Sequence, residues 1–424
     1  MRKQLVSAAL LVGLCVSAAA AQDFIDGASL LEAGFVKYWQ LPLPLHDGQE
    51  LGWCYLVDNQ IYAATKDGYV YAVDAQTGAI RWVKQITTTG YEIRRPCHIG
   101  KMVLFVLPPA MIMYDRYTGT PIRRIDTRFP TGSAACSDDT RFYVGGIDQK
   151  IYAFSPRYDF EIWKARTDGQ ILSRPMLGSE YLFFVDGAGS LFACKPENKE
   201  FVWKTPRLGA VTADLVVDEN GVYVASNDYS LYLLDPKYGG LRWRTRFSGP
   251  LTESPVTTPK IAYQFCRQDG LVALNTETVG VKERVRWALP AGRTLLTVDG
   301  ENAYVLTQDQ RILEVNTETG RIIHETPAPG FDLFIPVTNT VAVLLGSRDG
   351  RLFCARKQGV PIVLAEDVKN ALRNPEATTE AEPTAETETA AANPAEDPLT
   401  TKRPGPPLGG KSKVTKEYES GSGN

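Results

Sequence analysis

The sequence predicts an all-β fold, an eight-bladed β-propeller of four-stranded blades. Three observations predict it. An apolar run ending in a turn-opening residue recurs at Asp74, Asp115, Ser155, Lys195, Asp235, Asn275, Asn316 and Arg356, at intervals of 40 or 41 residues. Each interval holds about four short β-prone runs separated by turn residues. A tryptophan follows the landmark by eight residues at Trp82, Trp163, Trp203 and Trp243, and slightly later at Trp287. A fixed period in this range marks stacked supersecondary units, and four strands per unit make one propeller blade.

The first copy shows why each element forms. Residues 52–57 and 60–64 are apolar runs, and Lys66-Asp67-Gly68 is a hairpin signal. Residues 69–73 alternate aromatic and aliphatic side chains and read as the next strand. Residues 74–78 are turn chemistry: the Asp74 carboxylate can accept from amides two residues on, and Gly78 tolerates a positive φ. Residues 79–84 form the last strand and carry Trp82.

The tryptophans Trp39, Trp82, Trp163, Trp203, Trp243 and Trp287 are read as blade-docking residues. A ligand would need them in one place, whereas packing needs one per blade. Each would wedge its flat ring against the neighbouring blade and give its indole N–H to a carbonyl. At two slots the residue is Arg123 or His324 instead, which predicts weaker local packing. Residues 35–42 resemble an outer strand with its tryptophan but no blade in front of it. The last copy, 341–356, lacks a following tryptophan, so these ends are expected to pair. The rival is that 361–365 supplies the final strand.

The motif Ala72-Val73-Asp74-x-x-Thr77-Gly78-x-x-x-Trp82 resembles the PQQ-like, or tryptophan-docking, propeller repeat over residues 35–360. That family includes quinoprotein dehydrogenases, which hold pyrroloquinoline quinone and Ca²⁺ over the propeller axis beside adjacent cysteines. It also includes non-enzymatic scaffolds. This chain has no Cys-Cys pair and no long insert, and is similar to the second, BamB-like branch. The resemblance implies a periplasmic interaction scaffold that binds its partner through loops at one end of the ring. It implies no cofactor, no metal and no catalytic residue.

The chain begins with Met1-Arg2-Lys3, an apolar stretch over 5–16 and an alanine run over 18–21, the pattern of a secretory signal cleaved after Ala21. A lipoprotein reading through Cys15 is disfavoured by Leu14 before it. No other stretch approaches 18 consecutive apolar residues, so no transmembrane helix is expected. The expected organisation is signal peptide 1–21, lead-in 22–34, propeller 35–365 and disordered tail 366–424, with a short helical turn over 368–373. Residues 374–398 carry seven acids and no Lys or Arg, and 400–416 are basic and rich in Pro and Gly, so neither part can bury a core. The six cysteines past the signal are read as free buried thiols rather than disulfides, because equivalent points on adjacent blades lie too far apart to bridge.

Catalytic motifs are missing: the histidines His46, His98 and His324 have no metal-ligand spacing, and there is no GxSxG or P-loop. Cys97 and His98 are neighbours on a strand and point to opposite faces. Between 81 and 128 the chain carries nine Lys/Arg against three acids. Arg94, Arg95, Arg123 and Arg124 are candidates for an interaction patch meeting an acidic protein, an anionic surface or the chain's own acidic tail. A solvated blade edge is the plainer alternative. Met111 and Met113, in the apolar run Pro108-Pro109-Ala110-Met111-Ile112-Met113, are candidates for a rim contact, with a buried bulge as the alternative. Export and a net charge of −3 argue against nucleic acid. The reading is an exported, non-catalytic scaffold for an envelope protein. The alternatives are a PQQ- and Ca²⁺-dependent oxidoreductase and a carbohydrate-binding propeller.

Overall fold

Eight four-stranded antiparallel sheets follow one another along the chain. The computed structural model describes residues 23–373 apart from 89, 139, 206–207 and 278–279. All of these belong to the first of two units, 1–380 and 381–424. The expected signal peptide and the tail past 373 lie outside the described residues.

Blades one to seven occupy 51–85, 97–126, 131–166, 176–204, 216–246, 256–289 and 292–327, each a simple meander. The eighth is completed across the ends of the chain. Its three C-terminal strands span 333–357, and Phe35–Pro42 pairs antiparallel with Arg351–Lys357, from Phe35 opposite Lys357 to Pro42 opposite Arg351. The rival strand is corrected: 361–364 carries no strand and leads into a helix, Ala365–Arg373. Residues 366–373 are therefore helical rather than part of a disordered tail. Ala371 is buried, and its carbonyl accepts from Arg81 Nη1 at 3.0 Å.

Burial explains the sequence pattern. Middle strands such as Gln60–Thr65 and Gly221–Ser226 are buried along their whole length, because neighbouring blades cover both faces. Outer strands such as Leu241–Arg246 alternate, burying the tryptophan and exposing its neighbours. The hydrophobic clusters accordingly lie between blades. One joins Tyr62, Val70 and Trp82 of blade one to Val103, Phe105 and Ile112 of blade two.

Each docking tryptophan reaches the next blade. The indole nitrogens of Trp39, Trp82, Trp163, Trp203, Trp243 and Trp287 donate to the carbonyls of Ala75, Arg116, Pro196, Pro236, Thr276 and Thr317, at 2.8–3.1 Å. The ring lies on the turn glycine of the neighbouring blade: a Cβ on Gly78 would sit 2.8 Å from Trp39, and one on Gly320 would sit 2.6 Å from Trp287. The same turns have the expected Asx geometry. Asp74 Oδ1 accepts from the amides of Gln76 and Thr77, and Asn316 Oδ1 from those of Glu318 and Thr319.

The two slots without tryptophan are filled by other means. Arg123 bridges to Asp159 of blade three at 2.8 Å. At the junction of blades seven and eight the lead-in takes the space, through the helix Gly27–Glu32 capped by Asp26. His324 Nε2 lies 3.1 Å from the Ser29 carbonyl, which also accepts from Thr326 Oγ1 at 3.2 Å. Ile25, Leu30 and Phe35 join Tyr304, Leu306 and Phe353 in one cluster.

Candidate interaction site

Residues on or just before the first strand of each blade line a shared cavity. Eight of them are spaced by 40 residues: Cys54, Arg94, Ala134, Arg174, Asp214, Ser254, Thr294 and Phe334. All eight line one cavity of about 760 Å³, to which every blade contributes a wall. Four guanidiniums (Arg94, Arg95, Arg174, Arg293) and three carboxylates (Glu92, Asp214, Glu253) stand in it, with Trp53, Tyr55, Phe265 and Phe334 as aromatic walls.

The two sides of this mouth differ electrostatically. On one side Arg293 grips Glu253 with both terminal nitrogens, at 2.5 and 2.7 Å, and lies 4.1 Å over Phe265 and 5.0 Å over Phe334. That bidentate, stacked pair is electrostatically satisfied. On the other side Arg95 lies 4.9 Å over the Tyr55 ring, and its buried Nε has no acceptor among the described residues. Arg94 is 3.9 Å from the exposed Glu92 carboxylate. Arg174 gives Nε to the Ala135 carbonyl at 3.0 Å, and its backbone N–H to Asp214 Oδ1 at 2.8 Å. Burial lowers the Arg95 guanidinium below its ordinary value, the Arg174 charge adds to that, and Asp214 opposes it. Two like charges thus stand half-buried in one wall of the mouth, where partial desolvation adds to the cost of leaving them unpaired.

The sequence candidates separate. Arg94 and Arg95 stand in the mouth, whereas Arg123 and Arg124 lie on the outer strand Pro121–Asp126 and pair with Asp159 and Asp126. Three inter-strand spacings, about 14 Å, lie between first and last strands of a blade, so the four arginines make no single patch. Met111 and Met113 are fully buried in Ala110–Asp115 and offer nothing to a partner. Their strand is a regular middle strand without a bulge against Met102–Leu107. Arg174, Asp214, Arg293 and Tyr55 were missed. The signal for the first two is the column of positions at the 40-residue spacing, where charged residues replace small or apolar ones.

The His98 cluster and the cysteines are closed to ligands. His98 Nδ1 meets Asp58 Oδ2 at 2.6 Å and Nε2 meets the Tyr62 hydroxyl at 2.8 Å, but Tyr62 is wholly buried. Burial pushes the Cys97 thiol up to about 11 and the Cys194 and Cys354 thiols to about 12, so these cysteines are inert. All six cysteines past the signal are buried and free. A Ca²⁺–quinone pair does not fit the mouth. Ca²⁺ takes about six to eight oxygens, and here Glu253 is consumed by Arg293 while guanidiniums flank Asp214. Among the described residues no helix is long and apolar enough to cross a membrane.

Docked tryptophans, Asx turns and eight four-stranded blades define a PQQ-like repeat propeller. The profile of the family described as outer membrane protein assembly factor BamB matches residues 147–278 and 188–388, more than half of the chain. The chain belongs to that family. No curated protein matches it. Among solved structures, the computationally designed Ika8 protein superposes with a TM-score of 0.58 at 11% identity, over 74% of this chain and 98% of that one, which supports the fold. BamB from Moraxella catarrhalis gives 0.44 at 16% identity, over 78% of this chain and 99% of that one.

Proposed function

We propose that this chain is an exported, non-catalytic scaffold that holds a protein partner at the channel mouth, in the periplasm or cell envelope. Envelope or outer-membrane assembly is the setting that its family suggests. The observation that carries the reading is the mouth itself. All eight blades converge there, its charged groups are guanidiniums and carboxylates, its one cysteine, Cys54, is buried, and Ser254 gives its hydroxyl to the Asp214 carbonyl at 2.8 Å. Export rests on the basic start, the apolar stretch and the alanine run of residues 1–21.

A photoreactive amino acid at the mouth residue Thr212, and another at Ile122 on an outer strand, test it in intact cells. The expected result is a discrete protein adduct from position 212 and none from 122. A saturable rise in melting temperature with PQQ and Ca²⁺, together with no adduct at 212, would overturn the scaffold in favour of a quinoprotein.

A further inference from the structure

We infer that the Arg95–Arg174 side of the mouth receives an acidic side chain from an extended segment of the partner. This rests on the scaffold reading above and names the chemistry of the contact. The like-charged pair is held in place by packing. Arg95 is anchored on Tyr55, Arg174 is anchored by the Ala135 carbonyl, and no acceptor among the described residues takes the buried Nε of Arg95. Arg95, Arg174, Asp214, Glu92 and Tyr55 all line the same cavity. Asp214 alone does not neutralise the pair, and Glu92 is mostly exposed.

Charge and shape choose the ligand. Four guanidiniums against three carboxylates leave one positive charge in the mouth. A single carboxylate neutralises it, whereas a phosphate dianion would reverse the sign beside Glu92 and Asp214. A guanidinium fork matches the two oxygens of a carboxylate. The aromatic wall of Trp53 and Tyr55, 5.0 Å apart, gives the neighbouring part of a peptide an apolar surface. Arg293 takes no part, because Glu253 and two phenyl rings already occupy it.

The test uses the full chain and a fluorescein-labelled peptide of alternating glycine and glutamate, three of each, read by anisotropy at low salt. The same peptide with glutamine is the reference. The expected result is saturable binding of the glutamate peptide, at least about tenfold tighter than the glutamine peptide. Arg95→Gln and Arg174→Gln should each lose about tenfold, Arg95→Lys less, and Arg124→Gln on the outer strand should change nothing. Two single variants on different blades guard against one failing to fold. Equal binding of both peptides overturns the inference, as does an Arg124→Gln loss matching that of Arg95→Gln. Displacement by free glutarate at the same concentration as by peptide also overturns it, in favour of a small carboxylate. An adduct at Thr212 with no carboxylate dependence would sink this inference and leave the scaffold reading standing.

Discussion

Trp287→Ala should cost about 3–5 kcal/mol of stability, the range for a buried large aromatic cut to alanine. The residue is 7% exposed and sits in the cluster between blades six and seven with Tyr263, Leu295 and Val305. An aromatic of this size buries about 150–250 Å², worth about 4–6 kcal/mol of area removed from water. The Thr317 carbonyl also loses its 2.8 Å donor. With about 2.1 cal/mol/K per residue of unfolding entropy, a cooperative unit of this size would melt about 4–7 °C lower. Chemical denaturation followed by circular dichroism measures the loss directly, provided the slope with denaturant is unchanged. The sharper check is a double-mutant cycle with Gly320→Ala. In the wild-type background the new Cβ would meet Trp287 at 2.6 Å, and the backbone there has φ +70°. Without the indole the contacts with Cγ at 2.6 Å and Cδ2 at 3.1 Å are gone, while the Cβ of residue 287 and the backbone strain remain, so the second mutation must cost less in the Trp287→Ala chain. A loss under about 1 kcal/mol for Trp287→Ala, or strict additivity of the pair, refutes docking as the purpose of the repeated tryptophans.

Two further predictions test neighbouring features. Lys199 stands at the turn position held by glycine in blades one and seven, with φ +61°. Lys199→Gly should therefore stabilise by about 0.5–1 kcal/mol, read from the denaturation midpoint; a destabilisation would show that the lysine side chain contributes more than its strain costs. Asp58 has its carboxyl held below the ordinary value, chiefly by the hydrogen bond from His98. A depressed carboxyl contributes stability that is fully present above its unfolded value, about pH 4, and is lost as pH falls through the lower folded value. Asp58→Asn should be the less stable chain at pH 7 and should lose less between pH 5 and 3 than wild type. Parallel curves for the two chains would remove the Asp58–His98 contact as a source of acid sensitivity.

The fold was legible because every blade must solve the same packing problem. Each needs a strand with both faces apolar, a turn that brings a glycine or its substitute under an indole, and an outer strand that carries the indole. The solution therefore repeats at Asp74–Trp82, Asp235–Trp243 and their equivalents. Ring closure was visible as the complementary defect at the two ends, a strand with Trp39 but no blade and a blade with no tryptophan. Where the grammar broke, at Arg123 and His324, the sequence showed the gap but not what would fill it. Asp159 answers Arg123 locally, whereas His324 is met by a helix almost 300 residues earlier in the chain. Met111 and Met113 misled for a related reason. An apolar hairpin looks exposed when other blades show a polar tip, but here the tip is Pro108-Pro109 and both methionines lie inward of it.

The site was hard to read because its signal is a difference between blades, and no motif expresses a difference. The column from Cys54 to Phe334 has eight unlike letters. Packing explains the cysteine, alanine and phenylalanine in it, and hydrogen bonding explains Ser254, which donates to the Asp214 carbonyl at 2.8 Å. They account only in part for Arg174, whose Nε meets the Ala135 carbonyl at 3.0 Å but whose charge shares the mouth with a second guanidinium and one nearby half-buried acid, Asp214. A symmetric ring has no use for such an imbalance in its own stability, since removing either charge would relieve repulsion. Arg95→Gln should then leave the melting temperature unchanged or raise it, while weakening the glutamate peptide about tenfold. A fall of several degrees would show that the mouth arginines hold the ring together, and would remove the argument that their cost is offset only by a partner.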